Sequence, residues 1–189
     1  MNQQELIVQL QHGDEQAFKA IVDAWQNMVY NTAIGIVQNP EDAEDITQET
    51  FVQVYQSINS FRGDSKFSTW LYRIVVTKSL DHERKKKRKK RFAVIQTLFG
   101  EKDEEIYPAD FHHPGVQLEK KENAAALFKA LKQIPENQRT AFTLHKLEGL
   151  SYQEIAGIMD TTLYAVESLM QRAKNNLKKA LEKNYRNEK

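Results

Sequence analysis

The chain has 189 residues, 40% of them hydrophobic, and it contains no cysteine. This composition supports one core or two small ones, and it excludes disulfides and thiolate metal sites, as is typical of a protein in the reducing cytoplasm. The formal net charge of +1 hides a strong segregation of charge along the chain.

Basic and acidic residues occupy different segments. Residues 1–60 contain one basic and nine acidic residues, whereas residues 61–91 contain twelve basic and three acidic ones. Eight successive cations, from Arg84 to Arg91, repel one another and require counter-charge, which favours a polyanionic partner. The sequence shows no apolar run as long as a membrane span, so we expect no insertion into the membrane and a cytoplasmic location.

Helical periodicity dominates the sequence, which contains only seven glycines and four prolines. Apolar residues three and four apart follow Asp14, which we expect to cap the first long helix. Asn39-Pro40-Glu41-Asp42 is typical of a helix start, because a capping side chain precedes a proline and two acids. A third helix is expected to begin after Ser68 or Thr69 as its cap, and to continue into the basic stretch.

Residues 92–122 interrupt the helical pattern with two prolines, two glycines and scattered acids. We interpret them as a flexible linker that contains a short helix at residues 92–99. Helical periodicity returns after Glu119. We therefore predict an all-α fold with two helical domains, an N-terminal helical bundle at residues 1–91 and a C-terminal domain at residues 123–189.

The C-terminal domain contains the pattern of a helix-turn-helix. Ser151-Tyr152-Gln153-Glu154 predicts a capping box, and Asp160-Thr161-Thr162 predicts a turn in which Thr162 caps the following helix. Such a helix fits the major groove of DNA, where Ser, Gln and Arg can bond base edges and Lys can meet phosphates. An ordinary helical hairpin has the same pattern. The outer face of the second helix carries Tyr164, Glu167, Ser168, Gln171, Arg172, Lys174 and Asn175.

Two features of the N-terminal half indicate binding. Asp45, Gln48, Glu49 and Val52 share one helix face, which suits a basic protein partner but would equally suit a solubilising surface. The segment from Phe67 to Arg73 has three aromatic residues beside several cations. This combination suits single-stranded nucleic acid, because bases stack on the aromatic rings and phosphates bind the cations. Trp70 and Tyr72 could instead belong to the core.

Three stretches together resemble the extracytoplasmic-function group of the sigma-70 family: NPEDAEDITQETFVQVYQSINSF, KFSTWLYRI and IPENQRTAFTLHKLEGLSYQEIAGIMDTTLYAVESLMQRAKNNL. The resemblance covers residues 5–90 and 123–181 in the family's order. It implies a factor that binds core RNA polymerase, recognises promoter DNA and promotes strand opening, with no catalytic residue, metal or cofactor of its own. It also implies an anti-sigma factor as a partner, and promoter DNA bound both as duplex and as the non-template single strand.

The resemblance assigns residues to three surfaces. The polymerase-docking residues would be Asp45, Gln48, Glu49 and Val52. The loop of residues 61–67 would capture a flipped base of the minus-ten element, whose contacts would be Phe61, Phe67, Trp70, Arg73, Thr77 and Lys78. The minus-thirty-five element would be read by Tyr152, Gln153, Glu167, Ser168, Gln171, Arg172 and Lys174.

Three positions depart from the family pattern. Relatives often carry Asn at the position of Thr77, and commonly Lys or Arg at the positions of Glu167 and Leu169. We therefore expect an unusual upstream element, a weaker affinity for it, or both.

The acids of the linker suggest a segment that lies in a basic polymerase channel: Glu101, Asp103, Glu104, Glu105 and Asp110.

Two other classes of protein remain alternatives. A helix-turn-helix regulator could bind DNA without polymerase, but it would not need the acidic face or the aromatic and basic helix. An enzyme would need a constellation that the sequence does not offer, since the acids of the second helix are spread around it and have no histidine among them. These acids are Glu41, Asp42, Glu44, Asp45 and Glu49.

Overall fold

The computed structural model describes the backbone of residues 3–96 and 121–187, and the side chains of residues 3–89 and 126–183. Within these ranges every regular element is helical, and no helix is long and apolar enough to cross a membrane. The helices are α1 (Gln3–Gln11), α2 (Glu15–Val37), α3 (Pro40–Ser57), a 3-10 helix (Ile58–Ser60), α4 (Phe67–Gln96), α5 (Lys121–Lys132), α6 (Glu136–Lys146), α7 (Tyr152–Ile158) and α8 (Leu163–Asn187).

Two of the three helix starts expected in the N-terminal half are confirmed. The Asp14 carboxylate accepts hydrogen bonds from the backbone N–H groups of Gln16 and Ala17 at 2.8 and 3.0 Å. The Asn39 side chain accepts the N–H of Asp42 at 2.8 Å. Each cap satisfies backbone donors that have no partner inside the helix.

The expected start of the third helix was wrong. Helix α4 begins at Phe67, so Ser68 and Thr69 lie inside its first turn and neither of them precedes the helix as a cap. The buried ring of Phe67 packs against Trp25 and Trp70, and this packing holds the first turn against the bundle. Helix α4 also continues to Gln96, so residues 92–96 extend α4 instead of starting a separate helix. Helix α5 begins at Lys121, so residues 121 and 122 of the expected linker are helical as well. Residues 97–120, which include the five acids assigned to a polymerase channel, lie outside the described residues.

The N-terminal bundle is built from α1 to α4. The apolar stripe of α3 faces the bundle, since Ala43, Ile46 and Val54 are all buried. Helices α2 and α4 contribute Ile21, Val29, Leu71 and Val75 to the same core. Helix α1 packs against α2 and the 3-10 helix, and so covers the entry to the loop that leads into α4.

The C-terminal domain forms the predicted helix-turn-helix. The Ser151 hydroxyl accepts the N–H of Glu154 at 3.3 Å, and the Glu154 carboxylate accepts the N–H of Ser151 at 2.9 Å, which completes the capping box. These bonds hold the pKa of Glu154 below its usual value. Thr162 caps α8 through the N–H of Ala165 at 3.1 Å. A second, smaller core unites α5 and α8 through Ala130, Leu131, Ile134, Ala173, Leu177 and Ala180.

The two domains share one continuous hydrophobic core. We call this packing of one domain on the other the closed arrangement. Helices α6 and α7 pack on α2 and α4, and Leu144 and Ile155 are buried in the same cluster as Ile36 and Leu71. At the contact between α2 and α6, the backbone of Gly35 on α2 lies directly against the side chain of Thr143 on α6. The Thr143 hydroxyl donates to the Gly35 carbonyl at 3.1 Å.

A buried ion pair joins the domains beside this core. The Arg139 guanidinium on α6 lies 2.8 Å from the Glu83 carboxylate on α4, and their side chains are 5% and 13% exposed. Arg139 also donates to the Leu131 carbonyl of its own domain at 3.5 Å. Each buried charge therefore has its counter-charge in the other domain, and loss of one member would leave the other unpaired in the closed arrangement.

Candidate nucleic-acid and protein interfaces

The four predicted docking residues form one exposed surface of α3, which we call the docking face. Asp45, Gln48, Glu49 and Val52 all lie on the surface, and Val52 is 54% exposed. They border an open groove of about 300 Å³ together with Gln53, Gln56 and Lys78. A single exposed valine is ordinary on a protein surface, so the docking face is defined by the groove and by the acidic and polar residues around Val52.

Lys78 lies at the docking face instead of standing apart with the aromatic residues. Its ammonium is 3.4 Å from the Glu49 carboxylate. Because Glu49 is mostly exposed, the pair contributes little to stability. Its position nevertheless makes the docking face continuous with the helix to which the minus-ten contacts were assigned.

Four aromatic rings form a cluster at the base of the loop at residues 61–67. The Phe61 ring lies 5.6 Å from Phe67 and 5.3 Å from Trp70, and the Phe67 ring lies 6.1 Å from Trp25. Phe67 is 2% exposed, so its ring belongs to the core and presents no open face to a base in this arrangement. Phe61 and Trp70 are half-buried and keep part of their surface accessible.

Gln11 holds the entry of the same loop and was not found from the sequence. Its side-chain amide donates to the carbonyls of Ile58 and Phe61 at 3.3 and 3.2 Å. The loop is therefore fixed at its start by two hydrogen bonds from α1 and at its end by the aromatic cluster. Since Gln11 lies 50 residues before Phe61, no local sequence pattern marks this contact.

We expect Gln11→Glu to loosen the loop at residues 61–67. The substituted carboxylate has the same shape but cannot donate, and it would face two carbonyl oxygens that it repels. Hydrogen exchange of the loop amides, starting with the N–H of Phe61, should become about tenfold faster or more, since the two lost hydrogen bonds together contribute about 1–3 kcal/mol.

Gln9→Glu is the matched control, because it places the same charge on an exposed position of the same helix. Equal exchange rates in the loop of both variants would show that Gln11 does not position it.

Two residues of α4 are occupied by contacts with the C-terminal domain. The Arg73 Nε donates to the Gly157 carbonyl of α7 at 2.9 Å, and the Tyr72 hydroxyl donates to the Glu148 carboxylate at 2.9 Å. Burial and the neighbouring Glu148 raise the pKa of Tyr72, so its hydroxyl keeps the proton that it donates. Thr77, on the same helix, is exposed.

The basic stretch of α4 is partly neutralised by acids of the chain itself. Lys86 lies 2.8 Å from Asp42, and Lys87 pairs with Glu136 of α6. The hydrogen bond from Lys87 lowers the pKa of Glu136, which therefore stays ionised well below neutral pH. Lys85, Arg88 and Lys89 are exposed. The counter-charge that the sequence demands is thus supplied in part within the fold.

The helix-turn-helix presents its polar residues to the surface. Five of the seven predicted contacts are exposed, namely Gln153, Glu167, Gln171, Arg172 and Lys174. Ser168 is half-buried, and Tyr152 packs its ring 4.8 Å from that of His145.

Comparison with known proteins identifies both halves of the chain. The family model described as sigma-70 region 2 matches residues 21–89, and that described as sigma-70, region 4 matches residues 124–177. The RNA polymerase sigma-H factor of Pseudomonas aeruginosa is 33% identical over 95% of this chain and 93% of its own length. The ECF RNA polymerase sigma-E factor of Haemophilus influenzae is 34% identical over 96% of each chain.

Solved structures share the fold. CnrH, in complex with the cytosolic domain of CnrY, has a TM-score of 0.66 at 22% identity and covers 94% of this chain and 95% of its own. The sigma factor RpoE of Bartonella quintana, in complex with the anti-sigma factor NepR, has a TM-score of 0.67 at 24% identity, with coverage of 87% and 96%. From the two family matches and these full-length relatives, the chain belongs to the extracytoplasmic-function group of the sigma-70 family of RNA polymerase sigma factors.

Proposed function

We propose that this sigma factor acts in three successive steps, which are docking on core RNA polymerase, separation of its two domains, and reading of promoter DNA. As a transcription initiation factor it directs polymerase to the promoter and opens the DNA strands, whereas polymerase catalyses RNA synthesis. We infer this order of steps from one observation. In the closed arrangement the docking face is exposed, whereas Arg73 is hydrogen-bonded to the C-terminal domain.

Docking comes first because, among the residues that the structure describes, none covers the docking face in the closed arrangement. Asp45, Gln48 and Glu49 supply acidic and polar groups, and Val52 supplies the apolar contact. A basic protein surface that carries an apolar pocket would complement them. The partner surface we propose is the coiled clamp helices of the largest catalytic subunit.

Separation must follow because the closed arrangement is too short for a promoter. Elements centred near positions −35 and −10 are about 25 base pairs apart, or about 85 Å at 3.4 Å per pair. The longest C-terminal helix, α8, has 25 residues and spans only about 38 Å at 1.5 Å per residue. A molecule in which α7 touches α4 cannot reach both elements, so the bonds of Tyr72 and Arg73 to the C-terminal domain have to break.

Reading is divided between the two domains. The N-terminal domain, which we place at residues 1–91, would hold the opened non-template strand with Phe61, Trp70, Arg73, Thr77 and Lys78, and Phe67 would support the loop from below. Unstacking a base costs a few kcal/mol, which binding of the flipped base offsets. The C-terminal domain, at residues 123–189, would grip duplex DNA through the helix-turn-helix. The linker at residues 92–122 would join them within polymerase.

A regulatory partner is part of the proposal. CnrH and the Bartonella quintana factor were each solved with another protein, which for the latter is an anti-sigma factor. By analogy we propose that an anti-sigma factor binds this chain. Because polymerase and chromosomal DNA are in the cytoplasm, the factor would act there.

Asp45→Lys tests the docking step directly. The reversed charge should repel a basic partner and weaken binding to core polymerase about tenfold or more, since a like charge at an interface costs more than 1 kcal/mol. Glu44→Lys, on the adjacent exposed position of α3 outside the docking face, is the control and should bind normally. Equal affinities of the two variants, measured by titration of labelled protein with core polymerase, would contradict the assignment.

A further inference from the structure

Tyr164 is the most exposed large hydrophobic residue among those described, at 78%. It lies in the first turn of α8, next to the cap formed by Thr162. Its side chain makes no ring contact or hydrogen bond with the described part of the chain. Folding therefore does not explain an aromatic ring at this position, because the ring buries little surface in either domain.

The ring lies at the N-terminal end of the outer face of α8. At 3.6 residues per turn, positions 164, 168, 171 and 175 fall on one stripe, opposite the buried stripe of positions 166, 170, 173 and 177. The buried stripe is confirmed by Val166, Met170, Ala173 and Leu177, each no more than 5% exposed. Tyr164 thus leads the row of side chains that continues with Ser168 and Gln171.

The charge around this row indicates what the ring meets. The described part of α8 after Tyr164 carries five exposed cations and only two acids. The cations are Arg172, Lys174, Lys178, Lys179 and Lys183, and the acids are Glu167 and Glu182. Such a surface complements a polyanion. The N-terminal residues of the second helix of a helix-turn-helix meet base edges in the major groove, and the apolar group exposed there is the 5-methyl of thymine.

We propose that Tyr164 contacts the 5-methyl group of a thymine in the duplex upstream element, and so determines part of the promoter specificity. This inference rests on the proposed function, because it requires that the helix-turn-helix reads duplex DNA. The contact adds an apolar reading element to a row whose other members, Ser168, Gln171 and Asn175, are polar. It also places a preferred T·A pair opposite the first turn of α8.

Replacement of thymine by deoxyuridine tests the contact, because it removes only the methyl group. The holoenzyme formed from core polymerase and the full chain would be titrated with a promoter fragment that it opens, and each upstream thymine would be replaced in turn. We expect about fourfold weaker binding at one position or at two adjacent ones, the effect of exposing one methyl group. Holoenzyme with Tyr164→Ala should bind both forms of that fragment equally.

Two further variants separate the ring from other sources of affinity. Tyr164→Phe keeps the ring and should stay sensitive to the methyl group, whereas a contact made by the hydroxyl would be lost. Lys174→Ala should weaken the binding of all fragments to the same degree, as expected of a phosphate contact. It should keep the fourfold difference in affinity between the thymine and deoxyuridine fragments.

The proposal is overturned if the wild-type holoenzyme ignores every thymine replacement, or if Tyr164→Ala remains as sensitive as wild type. A holoenzyme that binds no fragment specifically would instead contradict the proposed function, and the inference would fall with it.

Discussion

Replacement of Glu83 by glutamine is expected to drive the two domains apart. Glu83 is the counter-charge of Arg139, whose side chain is 5% exposed and whose Nε has no hydrogen-bond partner in the described part of the chain. Removing one member of a buried ion pair costs about 3–5 kcal/mol. Since the two residues belong to different domains, separation returns the guanidinium to water without unfolding either domain. The equilibrium should therefore shift toward separated domains by about 100-fold or more.

Fluorescence energy transfer can measure this shift directly. The chain contains no cysteine, so Val8→Cys and Lys179→Cys would provide the only two labelling sites, both at exposed positions of different domains. The label distance should increase in Glu83→Gln while the helical content stays unchanged.

Asp81→Asn is the matched control for Glu83→Gln. It breaks the Arg84–Asp81 pair on the same helix, but those side chains are 66% and 50% exposed, so we expect almost no change. If Glu83→Gln leaves the label distance at the wild-type value, the buried pair does not hold the domains together.

Replacement of Gly35 by alanine is expected to have the second large effect. A Cβ at this position would lie 2.4 Å from the Thr143 Cγ2, whereas carbon atoms in contact are about 3.5–4.0 Å apart. Helices α2 and α6 must then move apart by about 1 Å, which breaks the bond from Thr143 to the Gly35 carbonyl. Overpacking of this kind costs about 1–3 kcal/mol.

The same substitution should stabilise the N-terminal bundle on its own. Alanine is favoured over glycine inside a helix by about 0.5–1 kcal/mol. The two effects therefore have opposite signs, and Gly35→Ala should open the closed arrangement without lowering the stability of the bundle.

Thr143→Ser supplies the compensating change. It removes Cγ2 and keeps the hydroxyl that bonds to Gly35, so the double variant should recover most of the wild-type label distance. If the single variant closes normally, or if the double variant stays open, the contact of Gly35 with Thr143 is not what sets the fit of the domains.

Local features of the fold could be predicted from the sequence because the residues that decide them are neighbours in the chain. Asp14, Asn39 and Ser151 each cap a helix whose first N–H groups lie two or three residues away. The apolar stripes of α3 and α8 follow from a spacing of three and four residues. The helix-turn-helix and its exposed face were predictable for the same reason.

Contacts between distant residues were not predictable in this way. Thr143 and Gly35 are 108 residues apart, and the pair Lys86–Asp42 joins positions 44 residues apart. The sequence left open whether the two domains lie together or apart, since a linker of this length allows both. It also could not show that Phe67 is buried while Trp70 stays half exposed, because both residues suit a core and a stacking surface.

The most direct test of the account is a permanganate footprint of promoter fragments mixed with the purified chain and core RNA polymerase, since permanganate marks unpaired thymines. We expect thymines in the minus-ten region of specific fragments to become reactive only when both proteins are present. The opposite result would be binding to duplex DNA without polymerase and without any reactive thymine. That outcome would contradict the role of the docking face and of the Trp70 segment, and it would indicate a regulator that acts alone.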